Sequence, residues 1–119
     1  MKILDMHIHA WGTKPDPDSL ISNMKKAGVY GGCVMSYRPK EADPVNGLDF
    51  DERVEEALAW CKGYEERLFP VVWIHPREEN LCENVKKQWQ KVYADLNSSA
   101  TIFMCMKKIV WKFFARLPN

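Results

Sequence analysis

Three short apolar runs alternate with three segments of helical periodicity, and this order constrains the fold more than any other feature of the chain. The apolar runs cover residues 2–9, 29–36 and 68–74, and each is typical of a buried strand. Strands that alternate with helices are joined by right-handed crossovers and lie parallel in one sheet. The sequence therefore predicts an α/β fold.

The helical segments have recognisable ends. Asp16 can cap the first helix, with Pro17 at its first position and Gly28 at its end. Asp49 and Glu52 have the spacing of a capping box at the start of the second helix. A third amphipathic segment follows the last apolar run, and its apolar face begins with Leu81, Val85 and Trp89.

Two architectures fit this order: an open doubly wound sheet and a barrel of eight strand–helix units. A barrel of this kind takes typically about 250 residues. The three units here occupy residues 1–87 of a chain of 119. They match the beginning of a (β/α)8 TIM barrel, so we expect a partial barrel followed by an atypical helical tail.

The sharpest chemical motif is His7-Ile8-His9, at the end of the first predicted strand. Residues two apart on a strand point to the same face, so the two imidazoles project side by side. At the carboxyl end of a barrel strand they would open into the active-site mouth. Two imidazoles held in this way favour zinc or a similar divalent ion, and we predict a metal half-site here.

The segments KILDMHIHAWG, KKAGV, GGCVMS and RLFPVVWIHP resemble the opening of the amidohydrolase superfamily, most closely its amidohydrolase-related branch. The similarity covers residues 1–87, and its chemically specific motif is the histidine pair. The resemblance implies a (β/α)8 barrel in which His7 and His9 bind the metal, while the remaining ligands and a catalytic Asp come from later strands. It also implies small-molecule substrates, namely amides, lactones, esters or carboxylates, attacked by a metal-activated water.

Because residues 1–87 would supply only the N-terminal part of such a barrel, we assign no catalytic residue and expect no activity from this chain alone. Asp5 is a candidate for a supporting role behind the metal ligands: it either accepts a hydrogen bond that orients a histidine or satisfies backbone donors. Arg38, beyond the second strand, could hold a substrate carboxylate, and His75, at the end of the third, could contact substrate. A solvated arginine and a polar strand end are the competing interpretations.

The charge balance changes along the chain. Residues 1–85 contain ten Lys/Arg against fifteen Asp/Glu, whereas residues 86–119 contain seven against one. We therefore treat residues 88–119 as a separate basic, aromatic tail, with helical spacing of apolar residues from 102 to 117. Reading its codons two nucleotides later permits a family-like continuation, so we predict a frame-shifted product of a longer gene.

Partners and compartment follow from other features. The four cysteines are widely spaced and form no CxxC pair, and the N-terminus lacks a secretory leader, which indicates a cytoplasmic protein. We expect no nucleic-acid or membrane partner, but an unpaired edge on the third strand favours self-association. Two rival functions stay open: a metal-dependent phosphoesterase of another barrel lineage, and a small noncatalytic module whose basic tail binds an anionic partner.

Overall fold

A computed structural model describes residues 1–11, 14–94 and 102–105 of the chain, with side chains described up to Gln88. No helix in these ranges is long and apolar enough to cross a membrane. Strands and helices alternate in the order β1 (Leu4–His9), α1 (Pro17–Lys26), β2 (Gly31–Met35), α2 (Phe50–Cys61), β3 (Leu68–Ile74), α3 (Leu81–Ala94) and β4 (Ile102–Cys105).

The four strands form one sheet in the order β1-β2-β3-β4, and each neighbouring pair is parallel. The predicted α/β class is confirmed. Strand β3 has the predicted bounds, while β1 and β2 each begin two residues later than expected. Since all four strands run in the same direction, their carboxyl ends lie along one edge of the sheet.

The predicted helix ends are also found. The Asp16 carboxylate accepts a hydrogen bond from the backbone N–H of Ser19 at 3.0 Å, which caps α1. At the start of α2, the Glu52 carboxylate accepts the backbone N–H of Asp49 at 2.8 Å. These contacts satisfy backbone groups that a helix leaves unpaired at its ends, so local sequence fixes where both helices begin.

Strand β4 corrects two expectations about the tail. The predicted helix over residues 102–117 is wrong at its beginning, because Ile102–Cys105 is a strand, while residues 106–117 lie outside the described part of the chain. The expected unpaired edge of β3 is wrong as well, since Val71 to Ile74 pair with β4. The free backbone groups of β3 offered a ladder that Ile102 and Phe103, both strand-favouring residues, could join.

The described helices all pack on one face of the sheet. On that face Val34 of β2 lies among side chains of α1 and α2, and Val72 of β3 lies among side chains of α2 and α3. The alternate strand residues Cys33, Met35 and Val71 form a separate cluster on the other face. Sequential strand order with crossovers of one hand produces this one-sided arrangement.

Candidate metal centre

The imidazoles of His7 and His9 converge at the carboxyl end of β1. Their Nε2 atoms lie 2.8 Å apart, and the rings meet edge to face with centroids 4.5 Å apart. Both side chains are exposed. In the neutral state one Nε2 can donate to the other, and a shared cation could replace that proton. The structure therefore brings the two predicted histidines together, with their Nε2 atoms facing each other.

The electrostatics of His9 favour its neutral form. Partial burial, followed by the neighbouring His7 and Arg38, lowers the pKa of His9. A histidine must be deprotonated at the coordinating nitrogen to bind a metal. A lowered pKa extends the pH range over which His9 is able to do so.

An irregularity in β1 lies just before the histidines. The stretch from Asp5 to Ile8 pairs with only Gly32 to Val34 of β2, so the register shifts within it. A Cβ atom on Gly32 would lie 2.0 Å from the carbonyl oxygen of Asp5, which explains why glycine is needed at this close approach. The shift interrupts the regular two-residue alternation of side chains between Asp5 and Ile8.

Asp5 uses its carboxylate locally. Its Oδ1 atom accepts the backbone N–H of His7 at 2.9 Å. This contact is the second of the two roles considered for Asp5, the satisfaction of a backbone donor. Through it Asp5 holds the backbone of the first histidine at the irregularity.

Three further side chains extend from the histidine pair toward the end of β2. The Trp11 ring lies 4.4 Å from the His9 ring, and the Tyr37 ring lies 5.2 Å from Trp11. The Arg38 guanidinium lies over both larger rings, at 5.3 and 5.5 Å from their centroids. Arg38, singled out in the sequence, therefore belongs to the same surface as the histidines.

Arg38 retains an unused donor. Its Nη1 atom is 3.4 Å from the Asp43 carboxylate, whereas its buried Nε has no hydrogen-bond partner in the described ranges. The Arg38 side chain as a whole is 38% exposed, and a guanidinium held by aromatic stacking can present its accessible N–H groups to a carboxylate or another oxygen acceptor. The substrate contact suggested for Arg38 stays a prediction.

His75 is held within its own loop. Its Nδ1 accepts the backbone N–H of Arg77 at 3.3 Å, and its backbone N–H donates to Glu78 at 2.6 Å. Among the residues that the structure describes, no group of three or more His, Cys, Asp or Glu side chains could hold a metal ion. Neither His75 nor Asp5 therefore joins the histidine pair as a third ligand in this arrangement.

Two polar residues that the sequence did not reveal fix the peptide of Tyr37. The Glu56 carboxylate on α2 accepts its N–H at 2.8 Å, and the Ser36 hydroxyl donates to its carbonyl at 3.0 Å. The same hydroxyl accepts the N–H of Trp73 on β3 at 3.0 Å. Tyr37 and Glu56 are 19 positions apart, so no local sequence pattern could have predicted their hydrogen bond.

A buried ion pair joins the loops that follow β2 and β3. Arg53, only 1% exposed, pairs with Glu78 and donates to the carbonyl of Leu48 at 2.7 Å. Glu78 in turn holds the backbone of His75. A signal was present in the sequence, because Arg53 lies on the apolar face of α2 between Phe50 and Val54.

Comparison of the chain with known proteins found no matching family model and no significant match among curated proteins or solved structures.

Proposed function

We propose that this chain binds a divalent metal ion, with zinc as the expected ion, through His7 and His9. We further propose that it forms the first part of a (β/α)8 barrel hydrolase of the amidohydrolase type. The observation that carries the proposal is the 2.8 Å separation of the two Nε2 atoms at the carboxyl end of the first strand of a parallel sheet.

The donor set suits zinc. Two neutral imidazoles are common zinc ligands, and bonds of about 2.0–2.1 Å to a tetrahedral ion would separate the two nitrogens by roughly 3.3 Å. The observed pair is slightly closer, so a small opening of two exposed side chains would admit the ion. Two ligands leave the remaining positions to water or other groups, and we expect weaker binding than at a closed structural site.

The arrangement of the sheet supports a barrel more than a doubly wound sheet. In a doubly wound sheet the strand order reverses and helices cover both faces. Here the order is sequential, and the described helices pack on one face. Strand β4 adds a fourth strand to the three predicted units. The histidines and Arg38 then lie at the carboxyl edge, where barrel enzymes carry their active sites.

A bound zinc ion would supply Lewis acidity toward a substrate carbonyl and would lower the pKa of a bound water. The chain's own residues would hold that ion and orient a small-molecule substrate, with the exposed part of the Arg38 side chain as donor to its oxygen atoms. A base beside the histidines is still needed, and no such role is assigned to a described residue. We therefore expect no turnover of amides, lactones or esters by this chain alone.

Zinc titration by calorimetry tests the assignment. His7→Ala and His9→Ala should each weaken binding by at least about tenfold, since loss of a ligand should cost no less than loss of an outer-shell partner. The double variant should lose specific uptake. His75→Ala is the matched control, because its contacts lie within its own loop, and it should bind as the unaltered chain does. Undiminished uptake by the double variant would overturn the proposal.

A further inference from the structure

The backbone of Tyr37 is held by the side chains of Glu56 on α2 and of the preceding residue, Ser36. The Tyr37 N–H donates to Glu56, and its carbonyl accepts from Ser36, which also accepts an N–H from β3. Tyr37 lies two residues beyond Met35, the last residue of β2, and just past the Ser36 N–H that still donates to the carbonyl of Val71 on β3. These side-chain bonds replace the ladder there and set the direction in which the Tyr37 ring leaves the sheet.

The orientation of that ring is transmitted toward the metal centre. The Tyr37 ring meets Trp11 edge to face, and Trp11 meets His9 in the same way. Edge-to-face contacts between aromatic rings are favourable, so the position of each ring restrains the next. We propose that Glu56 is a positioning residue, which fixes the Tyr37 peptide and thereby holds the Trp11 ring against His9. The consequence for metal binding rests on the proposed function of His9.

The surroundings of Glu56 fit a positioning role. The side chain is half-buried, and none of the ion pairs found in the described ranges includes it. A partly buried carboxylate without a cation costs free energy unless hydrogen bonds compensate it. The described hydrogen bond of Glu56 is accepted from the backbone N–H of Tyr37. The carboxylate therefore orients the Tyr37 backbone, although its partial burial costs the folded chain some stability.

The first test uses the metal-free chain. Trp11 shifts the ring-proton signals of His9 by its ring current, so those signals report the distance between the two rings. In NMR spectra at a fixed alkaline pH, Glu56→Ala should move the His9 signals toward the values found in Trp11→Ala. Glu56→Gln keeps an amide oxygen acceptor and should restore the original values. Glu55→Ala, on the exposed neighbouring position, is the matched control.

The second test measures zinc affinity. Glu56→Ala should weaken binding by about tenfold, the lower end of the range for outer-shell partners, and Glu56→Gln should recover it. If Glu56→Ala does not fold, Glu56→Asp withdraws the carboxylate by one methylene and should displace the His9 signals partially.

Unchanged His9 signals in both the Ala and Asp variants would overturn the positioning role. A chain that fails to bind zinc would instead refute the proposed function, and the metal-free spectra would still decide the role of Glu56.

Discussion

Strands β1 and β2 are neighbours in one sheet, yet their burial is opposite. Every residue of β2 is buried, whereas all of β1 except Ile8 is exposed, with Met6 at 56%. Strand β2 has a strand on each side and clusters on both faces, while β1 is at the edge of the described sheet. The strand that carries the candidate ligands therefore contributes less to the core than its neighbour β2, and chemistry and packing are separated between these adjacent strands.

The largest expected effect tests the burial contrast directly. Val34→Asp places a charge at a position with 0% exposure, and it should cost at least about 5 kcal/mol, enough to prevent folding. Met6→Asp, on the neighbouring strand, should change stability by no more than about 0.5 kcal/mol. Urea unfolding measures both. A large loss from Met6→Asp would show that β1 is covered in solution and would break the contrast.

The second prediction extends the comparison to the loops at the carboxyl ends. The loops after β2 and β3 are tied together by the buried pair of Arg53 and Glu78. Arg53→Met should destabilise the chain by about 3–5 kcal/mol, because it leaves a buried carboxylate unpaired. Adding Glu78→Gln removes that charge and should recover most of the loss in thermal or urea unfolding. Equal instability of the single and double variants would argue against an electrostatic origin.

The third prediction sharpens the separation of chemistry from packing on β1. The double change His7→Ala, His9→Ala removes two exposed side chains together with the ring contact between His9 and Trp11, so stability should fall by only about 1 kcal/mol. The same variant should lose zinc-induced stabilisation, which the unaltered chain should show as a rise in melting temperature with zinc concentration. Loss of folding without metal would mean that the pair is part of the core.

The smallest expected effect is a pH dependence of the stability contributed by Glu56, whose carboxylate binds the backbone beyond β2. Burial raises the pKa of Glu56, although its hydrogen bond from Tyr37 acts in the opposite direction. A carboxyl whose pKa is raised on folding stabilises the folded state below its unfolded pKa, and this contribution is lost as pH rises through the folded value. Glu56→Gln should therefore be slightly more stable than the unaltered chain at neutral pH. The difference should shrink on acidification through the usual Glu range, and a constant difference would contradict the shift.

Local signals in the sequence located most of the elements. The beginnings of two helices depend on contacts within one turn, and the predicted residues are found there. Asp16 and Pro17 begin α1, and Asp49 and Glu52 begin α2. Strand β3 was predicted at its observed bounds from a continuous apolar run. The spacing of His7 and His9 likewise predicted that the two rings would lie side by side. Each of these features depends on residues only a few positions apart.

The tertiary structure decided the rest. Ile102 to Cys105 begin a segment whose apolar residues have helical spacing, yet they pair with β3. The free edge of β3 outweighs a weak helical preference. The register shift in β1 follows from its pairing with β2, and the bond from Tyr37 to Glu56 follows from how α2 packs. By itself the sequence determined the alternation of elements, the helix ends and the histidine pair, because these depend on near neighbours. Which edges pair and which side chains meet across the sheet depends on contacts between distant residues, and only the folded chain supplies them.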